Sequence, residues 1–291
     1  MTFLSSRKLK NSGYIASKEV LTVANLAIHL DKPILVEGPA GTGKTSIAIA
    51  AAKALGRKLI RIQCFEGITS EQVIGEFDYK KQLLAIEIAK KSRDTPEQDD
   101  IFLEDIFSEE YFIKRPLMRA FTSSSDEPVV LLIDEIDKSD EEFEAFLLET
   151  LGELQITVPE LGTFTSKTPP LVFLTSNSTR DLSEALRRRC LYLYIDFPSP
   201  EVEKQILQLH CPSADERFLE QLASTVAKLR KLDFKKPPSL SESIDWAKTL
   251  LYLGHQELDK NILSQTLNIL LKHVEDIETA RLELDRLVLK S

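Results

Sequence analysis

The 291-residue chain contains no apolar run of about eighteen residues or more, so its sequence predicts no membrane-spanning helix. Residues 1–10 are basic but include no apolar core segment, and we therefore expect no secretory signal. The three cysteines, Cys64, Cys190 and Cys211, lie far apart and lack the close spacing of metal ligands. We expect them to be reduced, mostly buried thiols of a cytoplasmic protein.

Acidic residues outnumber basic ones, because 46 Asp and Glu oppose 37 Lys and Arg and leave a net charge of −9. This negative net charge disfavours binding of nucleic acid by mainly electrostatic attraction, although a local basic patch is compatible with it. The four histidines show no spacing suited to a metal ion. The apolar fraction of 43% is ordinary for a globular protein, and the length suits two domains.

A glycine-rich loop lies between an apolar run, 33–36, and a helical pattern, 47–55. Strand, glycine loop and helix in this order are typical of the phosphate-binding P-loop. The glycines let backbone N–H groups approach phosphate oxygens, and the helix directs its positive N-terminal end at the same anion. Lys44 would reach the β- and γ-phosphates, and the Thr45 hydroxyl would ligate Mg²⁺. The predicted nucleotide-binding residues are Gly38, Pro39, Ala40, Gly41, Thr42, Gly43, Lys44, Thr45 and Ser46.

A second apolar run, 128–133, ends in Asp134 and Glu135. An uninterrupted apolar run is typical of a strand buried on both faces. Two adjacent carboxylates at the carboxyl end of such a strand are costly unless a cation lies beside them. In a P-loop protein that cation is Mg²⁺, and we expect Asp134 to hold it beside Thr45. Glu135 would then polarise the attacking water as the general base.

Two later features can complete such a site. The apolar run 171–174 leads to Asn177, whose amide can hold the lytic water or touch the γ-phosphate; a simple turn is the alternative, because asparagine favours turns. Three consecutive arginines, Arg187, Arg188 and Arg189, precede the last apolar run of the core. They are either a solvated cluster or phosphate ligands. An arginine supplied in trans to a neighbour's γ-phosphate accelerates the transfer by about 10³–10⁵.

The pattern of the chain changes near Pro198. Residues 1–198 are predicted to form an α/β nucleotide-binding domain, in which 155–165 is a β-hairpin. Residues 199–291 are predicted to be all helical, with 274–289 as one helix.

An insertion at about 65–127 interrupts the predicted α/β domain and is rich in charge. A structureless loop of this length is improbable inside a domain, so the insertion is expected to contain its own helices, at 83–88 and 113–121. Residues 92–100 and 105–110 are predicted to be acidic, loop-like segments. Composition leaves open whether the insertion is a surface elaboration or a contact arm.

Taken in order, the P-loop, the Asp-Glu strand end, the Asn strand end and the arginines resemble an AAA+ ATPase of the MoxR branch. The phrases that carry the resemblance are GPAGTGKT (38–45), LLIDEID (131–137), QITVPELG (155–162), TSN (175–177) and ALRRRC (185–190). Within that branch, RIQCFEG (61–67) and KPPS (236–239), the latter followed by DWA (245–247), look like the ATPases that accompany carbon-monoxide-dehydrogenase maturation.

The resemblance implies a P-loop NTPase (AAA+) parallel-sheet core flanked by helices, with a C-terminal all-helical lid. It implies that Asn177 is sensor 1. By position, the resemblance places Arg189 on the arginine finger. Cys190 and Arg188 occupy places where the family has an aromatic and an acidic residue, so the resemblance implies that either Arg188 or Arg189 is the finger. It also implies ATP and Mg²⁺ as cofactors, a ring that is hexameric, and a chaperone-like role on a client enzyme, often together with a von Willebrand factor A domain protein. It favours a contact arm for the insertion.

One departure from the family concerns sensor 2, an arginine near the start of the lid's third helix. Residues 238–243 contain no arginine, so Lys235, Lys236 or a neighbouring subunit's arginine would have to replace it. Two rival functions stay open. One is a nucleic-acid motor, which the net charge disfavours; the other is a scaffold that binds ATP with little turnover, which the missing arginine favours. The sequence does not separate ATP from GTP.

Overall fold

The computed structural model of the protein describes residues 3–90, 106–123 and 128–287. The chain divides into two compact units. The first comprises Met1–Leu4, Lys18–Glu37 and Ala51–Leu193, and the second comprises Ser5–Ser17, Gly38–Ala50 and Tyr194–Ser291. Compactness does not show that a segment folds alone, so the division at 198/199 stays a prediction. Within the described ranges, no helix has both the length and the apolar character needed to cross a membrane.

The strands of the described residues are β1 (Ile34–Glu37), β2 (Lys58–Gln63), β3 (Gly75–Phe77), β4 (Phe112–Lys114), β5 (Val129–Asp134), β6 (Gln155–Val158), β7 (Gly162–Thr165), β8 (Leu171–Ser176) and β9 (Leu191–Tyr194). The helices are α1 (Ser6–Asn11), α2 (Lys18–Leu30), α3 (Lys44–Leu55), α4 (Ser70–Ile74), α5 (Tyr79–Lys90), α6 (Pro116–Phe121), α7 (Glu141–Glu153), α8 (Glu184–Arg189), α9 (Pro200–His210), α10 (Glu216–Leu229), α11 (Leu240–Tyr252), α12 (Lys260–Leu270), α13 (Val274–Leu282) and α14 (Leu284–Leu287).

The central sheet has the order β2-β5-β8-β1-β9. β1 pairs with β8, β8 with β5, and β5 with β2, each time in parallel. All residues of β5 and β8 are buried, as expected for strands that are covered on both faces. Parallel neighbours need crossover connections, which helices supply. The predicted fold class, a parallel sheet flanked by helices, is confirmed.

The carboxyl ends of these parallel strands meet at one edge of the sheet. The register places Glu37 opposite Ser176 and Gln63 opposite Asp134. In open α/β sheets this edge is where ligands bind. The four strands therefore bring their terminal polar residues to the edge that a nucleotide site requires.

The insertion contains regular structure in its described part. The helix predicted at 83–88 lies inside α5, and this prediction is confirmed. The helix predicted at 113–121 is wrong in its first part, because Ile113 belongs to β4 and pairs with Glu76. The helix begins at Pro116, since the fixed φ of proline suits the first helical position. The acidic loop predicted at 92–100 lies outside the described residues.

The hairpin predicted at 155–165 is confirmed by antiparallel β6 and β7. The C-terminal segment is helical, and Trp246 is completely buried in its core. The predicted single helix at 274–289 is wrong: α13 ends at Leu282, and Glu283, with φ −103° and ψ 7°, separates it from α14.

Candidate nucleotide site

The P-loop lies in the second compact unit and needs its glycines for steric reasons. Gly38, Gly41 and Gly43 have φ of +149°, +75° and +98°, a range that side chains disfavour. A Cβ on Gly38 would lie 2.0 Å from the carbonyl oxygen of Ile195. A Cβ on Gly41 would lie 2.3 Å from the Cβ of Ser239. The backbone of the loop is thus held closely on two sides.

The side chains of the loop are arranged around its own carbonyl groups. Lys44 is buried and is the first residue of α3, and its Nζ donates to the carbonyl oxygens of Gly38 and Pro39, each at 2.7 Å. The Thr42 hydroxyl also donates to the Pro39 carbonyl, at 3.0 Å. Thr45 is half-buried, whereas Ala40 and Ser46 are exposed. An ammonium group is therefore already fixed inside the loop.

The start of α11 contacts this loop within the second unit. The backbone N–H of Leu240 donates to the carbonyl of Gly41 at 3.0 Å. Ser239 caps the helix by accepting from the N–H of Glu242 at 3.2 Å. The resemblance to the MoxR branch predicts the sensor 2 arginine near the start of this helix. The two lysines considered as replacements contact acidic residues of the same unit: Lys235 pairs with Glu275 at 3.0 Å and Lys236 pairs with Glu242 at 3.7 Å.

Asp134 is the last residue of β5 and is almost completely buried. Its Oδ1 accepts from the hydroxyl of Thr175 at 2.5 Å, and its Oδ2 lies 2.5 Å from the guanidinium of Arg61. A buried carboxylate is costly without a positive partner. Because it already holds a cationic group, Asp134 fits the role of a cation ligand.

Glu135 adopts a left-handed backbone, with φ 58° and ψ 50°, which is strained for a residue with a side chain. Its N–H donates to the hydroxyl of Thr175 at 2.9 Å. Its carboxylate accepts from the amide of Gln63 at 2.8 Å and pairs with Lys138 at 2.6 Å. The hydrogen bond that the ammonium of Lys138 donates to the carboxylate of Glu135 raises the pKa of Lys138. The turn directs the backbone of Glu135 towards Thr175 and its side chain towards the end of β2.

Asn177 follows β8 directly, at the predicted edge of the sheet, and is half-buried. Its backbone contributes a hydrogen bond to the carboxylate of Asp137, which also accepts from the N–H and the hydroxyl of Thr179, at 3.1 and 2.6 Å. Burial raises the pKa of Asp137, but these hydrogen bonds lower it by more than burial raises it, so the net shift is downward. Asp137 thus ties the turn after β5 to the turn after β8.

The three arginines have different surroundings, although they are consecutive on α8. Arg187 forms an ion pair with Glu37, whereas Arg188 is 82% exposed and lies 3.9 Å from Glu184. Arg189 is exposed, and its Nε lies 3.2 Å from the place of a Cβ on Gly152. Arg188 and Arg189 are therefore exposed, as a residue that serves a neighbouring molecule must be, although the guanidinium of Arg189 lies beside Gly152 of α7.

Several of the contacts around this site have no signal in the sequence. Thr175, Arg61 and Gln63 meet Asp134 and Glu135 only because parallel register aligns their strands. Ser239 and Tyr14 lie against the loop from distant segments; the ring of Tyr14 lies 3.7 Å from the place of a Cβ on Gly43, and burial raises its pKa to about 12. A motif search along the chain can locate a residue, but it does not report which side chains long-range packing brings against that residue.

Residues 38–46 belong to the second unit, and the sheet unit brings Asp134, Glu135 and Asn177 to its carboxyl edge. β1 ends at Glu37, so the loop begins at that same edge by chain continuity. A parallel sheet with a glycine loop after one strand and an acidic pair after another defines a P-loop NTPase.

Residues 33–190, more than half of the chain, match the family described as AAA domain (dynein-related subfamily), and the chain belongs to this family. The family is of the MoxR-like type, so this part of the predicted resemblance is confirmed. Its members are P-loop ATPases, and the protein is therefore an AAA+ ATPase.

The chain is similar to several known proteins. An uncharacterized protein of Staphylococcus haemolyticus is 24% identical over 252 residues, which cover 84% of this chain and 86% of the relative. The gas vesicle ATPase GvpN of Haloferax mediterranei is 24% identical over 213 residues, which cover 70% of this chain but only 58% of that protein. A mutant RuvB of Thermotoga maritima has a TM-score of 0.51 over 92% of this chain and 71% of that chain, at 16% identity. The RuvB likeness shows the shared fold.

Proposed function

We propose that the protein hydrolyses Mg²⁺-bound ATP as a subunit of a ring, and that residues 199–291 act as the lid of the nucleotide site. The observation that carries the proposal is the turn after β5, where one hydroxyl of Thr175 contacts both Asp134 and Glu135. That turn buries the carboxylate of Asp134, which suits a cation ligand, and leaves Glu135 on a strained backbone. Such a division of roles suits hydrolysis better than binding alone.

Residues 38–46 would surround the phosphates, with Lys44 exchanging its contacts to the loop carbonyls for phosphate oxygens. Thr45 and Asp134 would hold Mg²⁺, which when bound neutralises charge on the phosphates. Glu135 would polarise the attacking water. Asn177 would orient that water or the γ-phosphate.

Either Arg188 or Arg189 would act in trans on the nucleotide of the neighbouring subunit. Their exposure supports this role, because a buried arginine cannot reach another molecule. AAA+ proteins are typically oligomeric, and we propose a hexameric ring. The ring is required by the mechanism, since each nucleotide site would be incomplete without the neighbour's arginine.

The biological role proposed is chaperone-like: remodelling or assembly of a partner enzyme in the cytoplasm, together with a von Willebrand factor A domain protein. The phrases at 61–67 and 236–239, which resemble the ATPases of carbon-monoxide-dehydrogenase maturation, support a metalloenzyme as the client. The insertion at about 65–127 would be the arm that contacts it.

The central test replaces Glu135 by Gln, with Lys44→Ala as the matched variant. Glu135→Gln should bind ATP with an affinity close to that of the unmodified protein. Its turnover should fall by about 10²–10⁴-fold. Lys44→Ala should lose binding as well. Phosphate release and equilibrium nucleotide binding measure the two effects. Turnover of Glu135→Gln at the normal rate would show that another group is the base.

The same ATP-trapped variant can be used to capture a client. Immobilised Glu135→Gln protein, loaded with ATP, should retain a partner enzyme that Lys44→Ala protein does not. Equal capture by the two variants would remove the support for an ATP-dependent role on that client.

A second candidate is a scaffold that binds ATP with little turnover. It is favoured by the start of α11, where Ser239 and Leu240 stand in place of a lid arginine. The carboxylate of Glu135, which is held by Gln63 and Lys138, favours it too. Rapid ATP turnover by the purified protein would eliminate this candidate.

A further inference from the structure

Arg187 is set apart from the two arginines that follow it by a buried partner. Its guanidinium donates to both carboxylate oxygens of Glu37, at 2.9 and 3.2 Å, and the side chain is 29% exposed. Glu37 is only 4% exposed, and its Oε2 also accepts from the hydroxyl of Tyr192 at 3.1 Å. Nothing in the ATPase mechanism above uses this ion pair.

We propose that the Glu37–Arg187 ion pair is a positioning device that links the protein's own nucleotide loop to the arginine it offers to the next subunit. Glu37 is the last residue of β1 and directly precedes the loop. Arg187 directly precedes Arg188 and Arg189 on α8. The inference rests on the proposed function, because it assumes a ring in which one of these arginines acts in trans.

The chemistry of the pair makes it a firm link. A carboxylate with almost no access to water must keep its positive partner. A bidentate contact between Arg187 and Glu37 fixes orientation as well as distance, because the planar guanidinium matches the carboxylate. Tyr192 completes the contacts of Oε2. If β1 moves at its carboxyl end, Arg187 therefore has to follow.

Helix α8 is short enough to transmit such a movement as one piece. Its N-cap, Ser183, donates its backbone N–H to the carboxylate of Glu144 on α7 at 2.9 Å, and Leu186 is completely buried. The helix has six residues, so Arg187 lies in its last turn. Successive helical residues are about 100° apart, so anchoring Arg187 sets the directions of the two arginines after it.

The loop at the other end of the link has little freedom of its own. A Cβ on Gly38 would lie 2.0 Å from the carbonyl oxygen of Ile195, so the backbone after Glu37 is closely confined. The ammonium of Lys44 donates to the Gly38 carbonyl at 2.7 Å. When Lys44 exchanges this contact for a phosphate, the change occurs one residue from the ion pair.

The test compares Arg187→Met and Glu37→Gln with Thr266→Val. Thr266→Val is the stability control, because it removes the acceptor of the Trp246 indole N–H, a 2.8 Å bond far along the chain from α8. In the homomeric ring, Arg187→Met should lower kcat by about 10², as misplacement of a reacting group does, while the Kd for ATP changes less than about threefold. Glu37→Gln should share this pattern, and Arg187→Lys should recover part of kcat.

Mixed rings provide a readout that simple loss of stability would not move. Lys44→Ala subunits bind no ATP but carry an intact arginine, whereas Arg187→Met subunits bind ATP but present the arginine poorly. A mixture should therefore turn over ATP faster than the sum of the two homomeric proteins. A mixture of Arg187→Met with Thr266→Val should turn over ATP only at the sum of the two separate rates, each weighted by that variant's share of the subunits.

Three results would overturn the link: a normal kcat for Arg187→Met, a raised Kd with unchanged kcat, or no recovery in the mixture with Lys44→Ala. Glu37→Gln keeps the shape of the side chain, so its kcat and its Kd for ATP test the link if Arg187→Met does not fold. Failure of the proposed function looks different. If neither Arg188→Ala nor Arg189→Ala lowers turnover of the ring, the arginine in trans is wrong, whatever Arg187 does.

Discussion

The hydroxyl of Thr175 lies 2.5 Å from the carboxylate of Asp134, on the neighbouring strand of the sheet. The same oxygen accepts the backbone N–H of Glu135 at 2.9 Å. One hydroxyl from β8 thus determines how the chain turns at the end of β5. It satisfies the buried carboxylate and stabilises the left-handed residue that follows.

Replacement of Thr175 by Val should destabilise the protein by about 1–3 kcal/mol, because it leaves the buried carboxylate of Asp134 and the half-buried N–H of Glu135 short of a partner. Turnover should fall as well, since the turn that carries Glu135 loses its support. Thr175→Ser keeps the hydroxyl and is the matched control. Urea unfolding and phosphate release measure the two effects, and equal values for the Val and Ser variants would contradict this account.

Gly41→Ala should weaken ATP binding, because a Cβ there would lie 2.3 Å from the Cβ of Ser239 and force the loop from the start of α11. Gly56→Ala is the control: Gly56 has a similar φ of +64°, but no atom lies within 4 Å of its Cβ position. Both variants should lose about 1–3 kcal/mol of stability through backbone strain. Only Gly41→Ala should raise the Kd for ATP. A similar Kd for both variants would contradict the steric explanation.

Arg61→Met should lower the Mg²⁺ concentration needed for half-maximal turnover. The guanidinium of Arg61 occupies Oδ2 of Asp134 and competes with a metal for it. The Arg61 side chain is 50% exposed, so the ion pair is worth about 0.2–1 kcal/mol and the shift should be at most about fivefold. Magnesium titrations at saturating ATP measure it. An unchanged or higher requirement would mean that Arg61 does not compete with the metal.

Asp137 should make the free energy of unfolding depend on pH in the acidic range. Burial raises the pKa of its carboxyl, but hydrogen bonds from Thr179 lower it to a net downward shift in the folded protein. A lowered folded pKa contributes stability above the unfolded pKa, and this contribution is lost as the pH falls through the folded pKa. The advantage of the natural protein over Asp137→Asn should therefore shrink as the pH falls below about 4. Urea unfolding between pH 3 and 6 measures it; a constant difference would contradict the assignment.

Local patterns predicted the elements whose signal lies within one segment. The runs 128–133 and 171–174 are apolar throughout and became the fully buried β5 and β8. The stretch 155–165 became the hairpin at the predicted positions. Prediction failed at 113–121 because Ile113 joins a two-stranded ladder with a partner far along the chain, and helical periodicity does not report on such a partner.

The order of charged and glycine residues along the chain was enough to predict a nucleotide site, because Lys44, Asp134 and Glu135 owe their chemistry to their types and to the strand ends that carry them. Tertiary structure alone decided what surrounds them. It paired Arg187 with Glu37 and left Arg188 and Arg189 exposed, although the three arginines are chemically identical. The physical reason is that pairing depends on which side chains long-range register and helix rotation bring within hydrogen-bonding distance, and residue type does not contain that information.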